Sequence, residues 1–410
     1  MGPSPFLPGH QLQLLQGGQE FFSALVQSID NSHHEVRLET YIFSVEGAGQ
    51  QVACALERAA LRGVNVFLVM DGVGTPSLVT HWATRFNDAG VKWRIFSPLG
   101  RFGLLLPSRW RRMHRKLCVV DGTVLFCGGI NVLDDFFDPN YGTLEFPRFD
   151  FAVRVTGPLV RTAHDATTQF WTRLQAVNKL RQSGFREGWN ALQEAVRLAR
   201  LKNQNLDTDP KQSVVSQIHA MHAHLVLRDN VHNRTRIERS YRQAIGSATQ
   251  EIIIANAYFV PGRKLRKGLI HAARRGVRVR LLLQGRYEYF MQYHAARPVY
   301  GALLEAGVEI YEYSVSFLHA KVAVIDGHWA TVGSSNLDPL SLLLAREANV
   351  VIDDVAFATE LRKRLENAMD TGGQRIDPAV YSNRPWHQLF FDRCAFGLMR
   401  ALLFLSGKRY

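Results

Sequence analysis

Two residue sets in this chain combine groups that could do chemistry at phosphorus. The first is His114-Arg-Lys116 followed by Asp121, Gly128 and Asn131; the second is His319-Ala-Lys321 followed by Asp326, Gly333 and Asn336. In each set Lys follows His by two positions, Asp follows Lys by five, Gly follows Asp by seven, and Asn closes three later. On a strand, residues two apart project from one face, so each imidazole is expected beside its ammonium. An apolar run follows each Lys, as a fully buried strand requires. A buried strand that ends in an imidazole and an ammonium packs poorly. It suits a phosphodiester, which needs a cation on its oxygens and a nucleophile or acid at phosphorus.

One pair supplies a nucleophile or an acid but not both, so the two halves are expected to build a single site. Lys116 and Lys321, with Asn131 and Asn336, are placed to hold the phosphoryl oxygens. The two ammonium groups supply positive charge, so neither a metal nor another cofactor is expected. Asp121 and Asp326 complete the motif set, yet each falls at a hairpin turn five residues beyond its Lys, roughly 16 Å along a strand. A role in bonding turn amides is therefore expected for them. The imidazoles need acceptors to fix one ring nitrogen. Asp150 and Glu347 occupy equivalent places after the two motifs and are the candidates.

The elements around each motif also repeat. A helix pattern over Gln19 to Ile29 precedes a strand over Val36 to Phe43, a helix from Gln50 to Ala60 with Arg62-Gly63 as its stop, and a strand from Val64 to Met70. A helix over His81 to Ala89 and a strand over Val91 to Phe96 lead to the first motif. In the second half Ile237 to Ser247, Glu251 to Phe259, Lys264 to Arg274 and Val277 to Leu283 take the same order. The alternation implies an α/β fold with a largely parallel, covered sheet in each half. The boundaries read as a first lobe over 1–179, a charged helix and linker over 180–212, a second lobe over 213–385 and an apolar, basic tail over 386–410. His219, His222 and His224 near the linker have spacings that put no three on one face, and they read as solvated or sheet-edge residues rather than a metal site.

At 410 residues the chain can bury two cores. Four cysteines make no disulfide framework, and Cys118 and Cys127 read as buried thiols. The net charge of +13 suits nucleic acid or an anionic bilayer face. The start Met1-Gly-Pro-Ser-Pro-Phe has no signal-peptide pattern, and no apolar stretch of about twenty residues is present. Two stretches combine aliphatic side chains with arginines: Phe102 to Arg112, and Phe390 to Arg409. The second reads as an interfacial helix, with a core helix as its alternative. Leu104 to Leu106 offers nothing to a nucleic-acid base.

The two His-x-Lys-x4-Asp-x6-Gly-x2-Asn sets make the chain resemble the phospholipase D superfamily. Asn256-Ala-Tyr258-Phe259, Ala273-Arg-Arg-Gly-Val-Arg and His328 to Ser341 are similar to bacterial cardiolipin synthases, and the lack of N-terminal spanning helices resembles their B type. The resemblance implies two pseudo-symmetric lobes, each a mixed sheet flanked by helices, with the active site in the cleft between them. It implies phosphatidyl transfer from one phosphatidylglycerol to another through a phosphatidyl-histidine, with His114 as nucleophile and His319 as acid/base. Hydrolysis by the same chemistry, or cleavage of nucleic acid, are the alternatives. The implied partners are an anionic phospholipid and a membrane surface, without nucleic acid, at the cytoplasmic face of the cell membrane.

Overall fold

The structure is a computed structural model that describes residues 7–100, 103, 110–183, 221–229, 233, 235–286, 290–338, 345–382 and individual residues between 384 and 398. The first half opens with strand β1 (Leu7–Gln16) and helix α1 (Gly17–Asp30). Next come β2 (Glu35–Thr40), α2 (Ala48–Leu61), β3 (Asn65–Asp71), α3 (Thr80–Ala89) and β4 (Lys92–Phe96). A short β5 (Arg112–Met113) leads into the motif hairpin, β6 (Lys116–Val120) and β7 (Val124–Gly128). A small hairpin, β8 (Phe137–Asp138) and β9 (Gly142–Thr143), then precedes β10 (Phe151–Thr156) and α4 (Leu159–Ser183).

The second half repeats the plan with β11 (Met221–Arg228), α5 (Arg236–Ser247), β12 (Glu251–Asn256), α6 (Arg263–Arg274), β13 (Arg278–Gln284), α7 (Phe290–Leu304) and β14 (Glu309–Tyr313). Its motif hairpin is β15 (Lys321–Ile325) and β16 (Trp329–Gly333). It ends with β17 (Ala345–Asp353), α8 (Val355–Gly372), β18 (Gly373–Arg375) and α9 (Pro378–Ser382).

The helix stops follow from sequence. After α2, Gly63 takes φ 90° and the Val64 N–H bonds back to the Ala59 carbonyl at 3.1 Å. After α6, Gly276 takes φ 92° and Val277 bonds to Ala272 at the same distance of 3.1 Å. Glycine alone enters that left-handed conformation without strain, which ends both helices at the same register. The motif strands Lys116–Val120 and Lys321–Ile325 are buried at every position, as their apolar runs require.

The sheet departs from the largely parallel expectation. Parallel pairing joins β2, β3 and β4, and likewise β12, β13 and β14; the motif hairpins and the strands after them pair antiparallel. The physical reason is the tight Asp-Gly turn, which can only reverse the chain. The two halves also share one sixteen-stranded sheet, in the order β18-β14-β13-β12-β15-β16-β17-β11-β1-β10-β7-β6-β2-β3-β4, with β5 on β17. β1 stands at the junction, paired with β10 on one side and β11 on the other.

Each half has an outer core between its sheet and its helices, and a third core is common to both. There Leu14, Leu125 and Val153 of the first half pack with Val322, Val332 and Val350 of the second. His222 and His224 lie on β11, which is central rather than at an edge, and His224 is buried. The edge reading is corrected: β11 is covered by β17 and β1, partners far away in sequence. His219 and residues 184–220 lie outside the described residues, as does most of Phe102 to Arg109. All four cysteines are free thiols, with Cys118 and Cys127 buried.

Candidate active site

The turns come first, because they fix the register of everything before them. Asp121 and Asp326 take φ 50° and 49°, and each carboxylate is committed to main-chain donors. Asp121 accepts the N–H groups of His33, His34 and Glu35, each at 2.8 Å. Asp326 accepts those of Thr249, Gln250 and Glu251 at 2.8, 2.9 and 3.0 Å, and the Thr249 hydroxyl at 3.0 Å. The amides are not those of the hairpin itself. They belong to the segments that open β2 and β12, so each aspartate ties its motif hairpin to the neighbouring strand. The amide-binding role expected from sequence holds, so Asp121 and Asp326 complete the motif sets without standing among the reacting groups: among the described residues their carboxylates bond to these segments, at the far end of the strands from the imidazoles.

At the near end the two halves cross. The His114 N–H bonds to the Arg346 carbonyl at 3.0 Å, and the His319 N–H to the Phe149 carbonyl at 2.9 Å. Each histidine is thereby held against the chain just before the other half's acidic residue. His114 Nδ1 lies 3.1 and 3.2 Å from the two oxygens of Glu347, and His319 Nδ1 lies 2.6 Å from Asp150 Oδ2. The equivalence of Asp150 and Glu347 was legible in the sequence; the exchange between halves was not, since spacing within a motif says nothing about which half a side chain enters.

With each Nδ1 engaged, the Nε2 of each ring is the nitrogen left for substrate. The imidazoles retain 16% and 20% of their side-chain exposure, whereas Glu347 and Asp150 retain 0% and 3%. Lys116 donates to the His114 carbonyl at 2.8 Å, and Lys321 donates to the His319 carbonyl, so each ammonium is folded back beside its own imidazole. Lys321 also stands 4.0 Å from Asp150.

Burial and crowded cations shift these groups. Burial pushes the Lys116 ammonium down to about 7, opposed by Glu347 and aided by Lys321. Burial likewise lowers both imidazoles, His319 well below its ordinary value with Lys321 and Lys116 adding to the fall. Asp150 is raised by burial to about 7 against the pull of Lys321. Glu347 is as buried, yet His114, Lys116 and the Ser334 hydroxyl together overcome desolvation and hold its carboxyl below the usual range. The two halves therefore present different partners: an ionised Glu347 behind His114, and an Asp150 near neutrality behind His319.

Several supports carry no mark in the sequence. Ser334 donates to Glu347 and accepts the Ala348 N–H at 3.1 Å. Its counterpart, Gly129, has no side chain because a Cβ there would collide with the Asp150 carboxylate. Asp71 accepts the Met113 N–H at 2.7 Å, and Gln284 accepts that of Leu318 at 3.2 Å, fixing the residue before each histidine. The Tyr41 ring lies 5.1 Å from that of His114 and 5.5 Å from Lys116 Nζ. Asn131 accepts the Ile42 N–H at 3.2 Å through Oδ1, while Asn336 is buried with an Oδ1 that has no partner among the described residues.

An α/β pair of lobes that exchanges carboxylates around two His-Lys sets defines a class of protein that transfers groups at phosphorus. The comparisons give the class its family. A family model described as "Cardiolipin synthase, PLD-like domain" matches residues 25–144 and 241–369. Cardiolipin synthase B of Shigella flexneri is 36% identical over 399 residues, 97% of this chain and 90% of the relative. Cardiolipin synthase B of Escherichia coli K12 has the same identity and coverage, 36% over 97% of this chain. Cardiolipin synthase of Alkalihalophilus pseudofirmus is 28% identical over 96% of this chain and 72% of its own length. Among solved structures, phosphatidylserine synthase of Haemophilus influenzae shares the fold at 12% identity and a TM-score of 0.64, covering 98% of this chain and 95% of that one. The chain belongs to the cardiolipin synthase family of phospholipase D-like enzymes.

Proposed function

We propose that the protein makes cardiolipin from two phosphatidylglycerol molecules, with His114 as nucleophile and His319 as acid and base. The observation that carries the division of labour is the crossed, unequal carboxylate pair. His114 Nε2 attacks phosphorus as the P–O bond to glycerol breaks, and the His319–Asp150 pair gives its proton to the departing alkoxide. As the P–N bond forms, positive charge grows on the His114 ring, and the ionised Glu347 stabilises it through Nδ1. In the second step His319 takes the proton of an incoming phosphatidylglycerol hydroxyl, whose oxygen forms the new P–O bond while the P–N bond breaks. Cardiolipin leaves, and both histidines return to their starting state.

Lys116, Lys321 and the amide groups of Asn131 and Asn336 would hold the two non-bridging oxygens, on which negative charge builds in both steps. Buried cations of this kind act far more strongly than they would in water.

The substrate is a membrane phospholipid, and the reading places the protein on the cytoplasmic face of the cell membrane as a peripheral enzyme. No helix among the described residues is long and apolar enough to cross a bilayer. The tail over 386–410 is assigned to the lipid interface because Trp386, Phe390, Phe391 and Leu398 project outward, while Asp392 faces inward and pairs with His294 at 2.7 Å. Purified protein with phosphatidylglycerol vesicles and a chelator should release cardiolipin and glycerol in equal amounts, resolved by mass. Phosphatidic acid as the main product would instead make water the acceptor and the enzyme a hydrolase.

A further inference from the structure

Between Asn131 and Asp150 the chain leaves the large sheet and forms the β8–β9 hairpin, which the reaction does not use. Four of its large side chains point into solvent: Phe136, Phe137, Tyr141 and Phe146 are 49%, 41%, 50% and 45% exposed. Single exposed apolar residues are ordinary on a protein surface, but four exposed aromatic rings on one short hairpin and its flanks are a concentration of them. Three acids of the same segment, Asp134, Asp135 and Asp138, turn the other way. Asp138 is buried, accepts the N–H groups of Asn140 and Tyr141 at 2.8 and 3.2 Å, and pairs with Arg148 at 2.7 Å. Asp135 accepts the Gly18 N–H, and Asp134 accepts the Phe136 N–H at 2.9 Å. These bonds brace the base of the hairpin, while the four rings stay about half exposed.

The hairpin packs on the segment that leads to His319. The Tyr141 ring is 5.3 Å from that of Phe317, two residues before His319, and Ser316 donates to the Phe146 carbonyl at 2.8 Å. Phe149 then donates to the Phe317 carbonyl at 2.9 Å, and Asp150 follows directly. A diacyl phospholipid does not leave a bilayer readily, so the mouth of a site that acts on one must face the bilayer surface.

We propose that the β8–β9 hairpin docks the protein on a phospholipid bilayer, with the four rings seated at the boundary between headgroups and acyl chains. Aromatic rings concentrate at that boundary in membrane proteins because it is apolar on one side and wet on the other. The inference rests on the proposed function only for its partner, a lipid surface. Glu145 is the exposed charge on the hairpin, so this contact works by insertion and not by attraction to anionic headgroups. It therefore persists on neutral lipid and at high salt, where the basic contribution of the rest of the protein is screened.

The test uses the full chain, phosphatidylcholine vesicles and about 0.5 M salt, at which the Debye length is only a few ångströms. The double substitution Phe136→Ser, Phe137→Ser should weaken co-sedimentation about tenfold, for two partly inserted rings, with the melting temperature unchanged. In a second measurement, the fluorescence added by Phe136→Trp should be quenched by bromine-labelled acyl chains. Unchanged co-sedimentation of the double variant, or added fluorescence that the labelled chains leave unquenched, overturns the proposal. So does loss of an oligomer with vesicle binding intact, which would assign the rings to a protein contact. None of these readouts needs turnover, so the docking inference can fail while cardiolipin is still made, and can hold in a preparation that makes none.

Discussion

Glu347 meets His114 with both carboxylate oxygens, at 3.1 and 3.2 Å, whereas Asp150 meets His319 with one, at 2.6 Å. Asp150 accepts the Phe151 N–H with its other oxygen at 2.8 Å, while Glu347 accepts the Ser334 hydroxyl. His114, Lys116 and the Ser334 hydroxyl outweigh burial and hold the Glu347 carboxyl below its usual range, whereas burial raises that of Asp150, in the space left by Gly129, to about 7. This difference has a pH signature. Lys116 and Asp150 both titrate at about 7, one by a downward and the other by an upward shift, and each loses a proton as pH rises. Losing the first removes a cation from the phosphate site, and losing the second removes the proton for the leaving alkoxide. Thus kcat/KM should be level below pH 7 and fall above it. Bound phosphate favours the charged Lys116, so the alkaline limb of kcat should lie at higher pH than that of kcat/KM. Profiles measured on dispersed substrate check this, and a kcat/KM that rises through pH 8 would contradict it. Glu347→Gln should lower kcat by about two to four orders of magnitude with the fold intact, the range expected when a histidine loses its ionised partner.

At the scale of elements, the motif hairpins were legible because their features are local: an apolar run, an Asp-Gly turn, and a His-Lys pair at strand spacing. Helix stops such as Arg62-Gly63 were legible for the same reason. β1 was not, since Leu7–Gln16 is mostly exposed or half-buried apart from His10, Leu14 and Leu15, and it is a strand only because β10 and β11 flank it. The role of Asp121 was legible in kind, as a binder of amides, but not in target, since His33 to Glu35 lie far back in the chain. That role gives a stability prediction. Removing the carboxylate in Asp121→Ala leaves three N–H groups to find water, which should cost about 2 kcal/mol after allowance for partial exposure. Activity per folded molecule should stay within a few-fold of the parent. The Asp121 carboxyl is held below its ordinary value of 3.8, chiefly by the amides of Glu35, His33 and His34 against the opposing effect of burial. Its contribution is therefore complete above that pH and is lost as pH falls through the folded value. Urea unfolding should show the difference between parent and variant shrinking in strong acid; a variant that is stable but inert at neutral pH would contradict the structural role.

For the molecule as a whole, the repeat was plain in the sequence, but its closure into one body was not. Fixed motif spacing shows that a unit recurs; it does not show that Glu347 crosses to His114 or that Asp150 crosses to His319. Nor does it reveal that Leu125 and Val153 complete a core with Val332 and Val350. Such contacts join residues a whole half-chain apart and have no local pattern. The consequence is that neither half is a free-standing domain. A chain ending near Asp209 would expose its side of the shared core and leave His114 without its carboxylate. It should aggregate or remain partly folded, as seen by sedimentation and near-ultraviolet circular dichroism. A monomeric, cooperatively unfolding half-chain would show that the shared core is dispensable.

The division of labour between the histidines is tested most directly with a phosphatidyl ester of 4-nitrophenol, whose leaving group departs without a proton. His319→Ala should then release about one nitrophenolate per enzyme in a burst and stall, because His114 can still attack but no base activates the acceptor. Mass mapping of the stalled protein should place the phosphatidyl group on His114, and His114→Ala should give neither burst nor adduct. A burst in His114→Ala, with the adduct on His319, would reverse the roles assigned to the two halves.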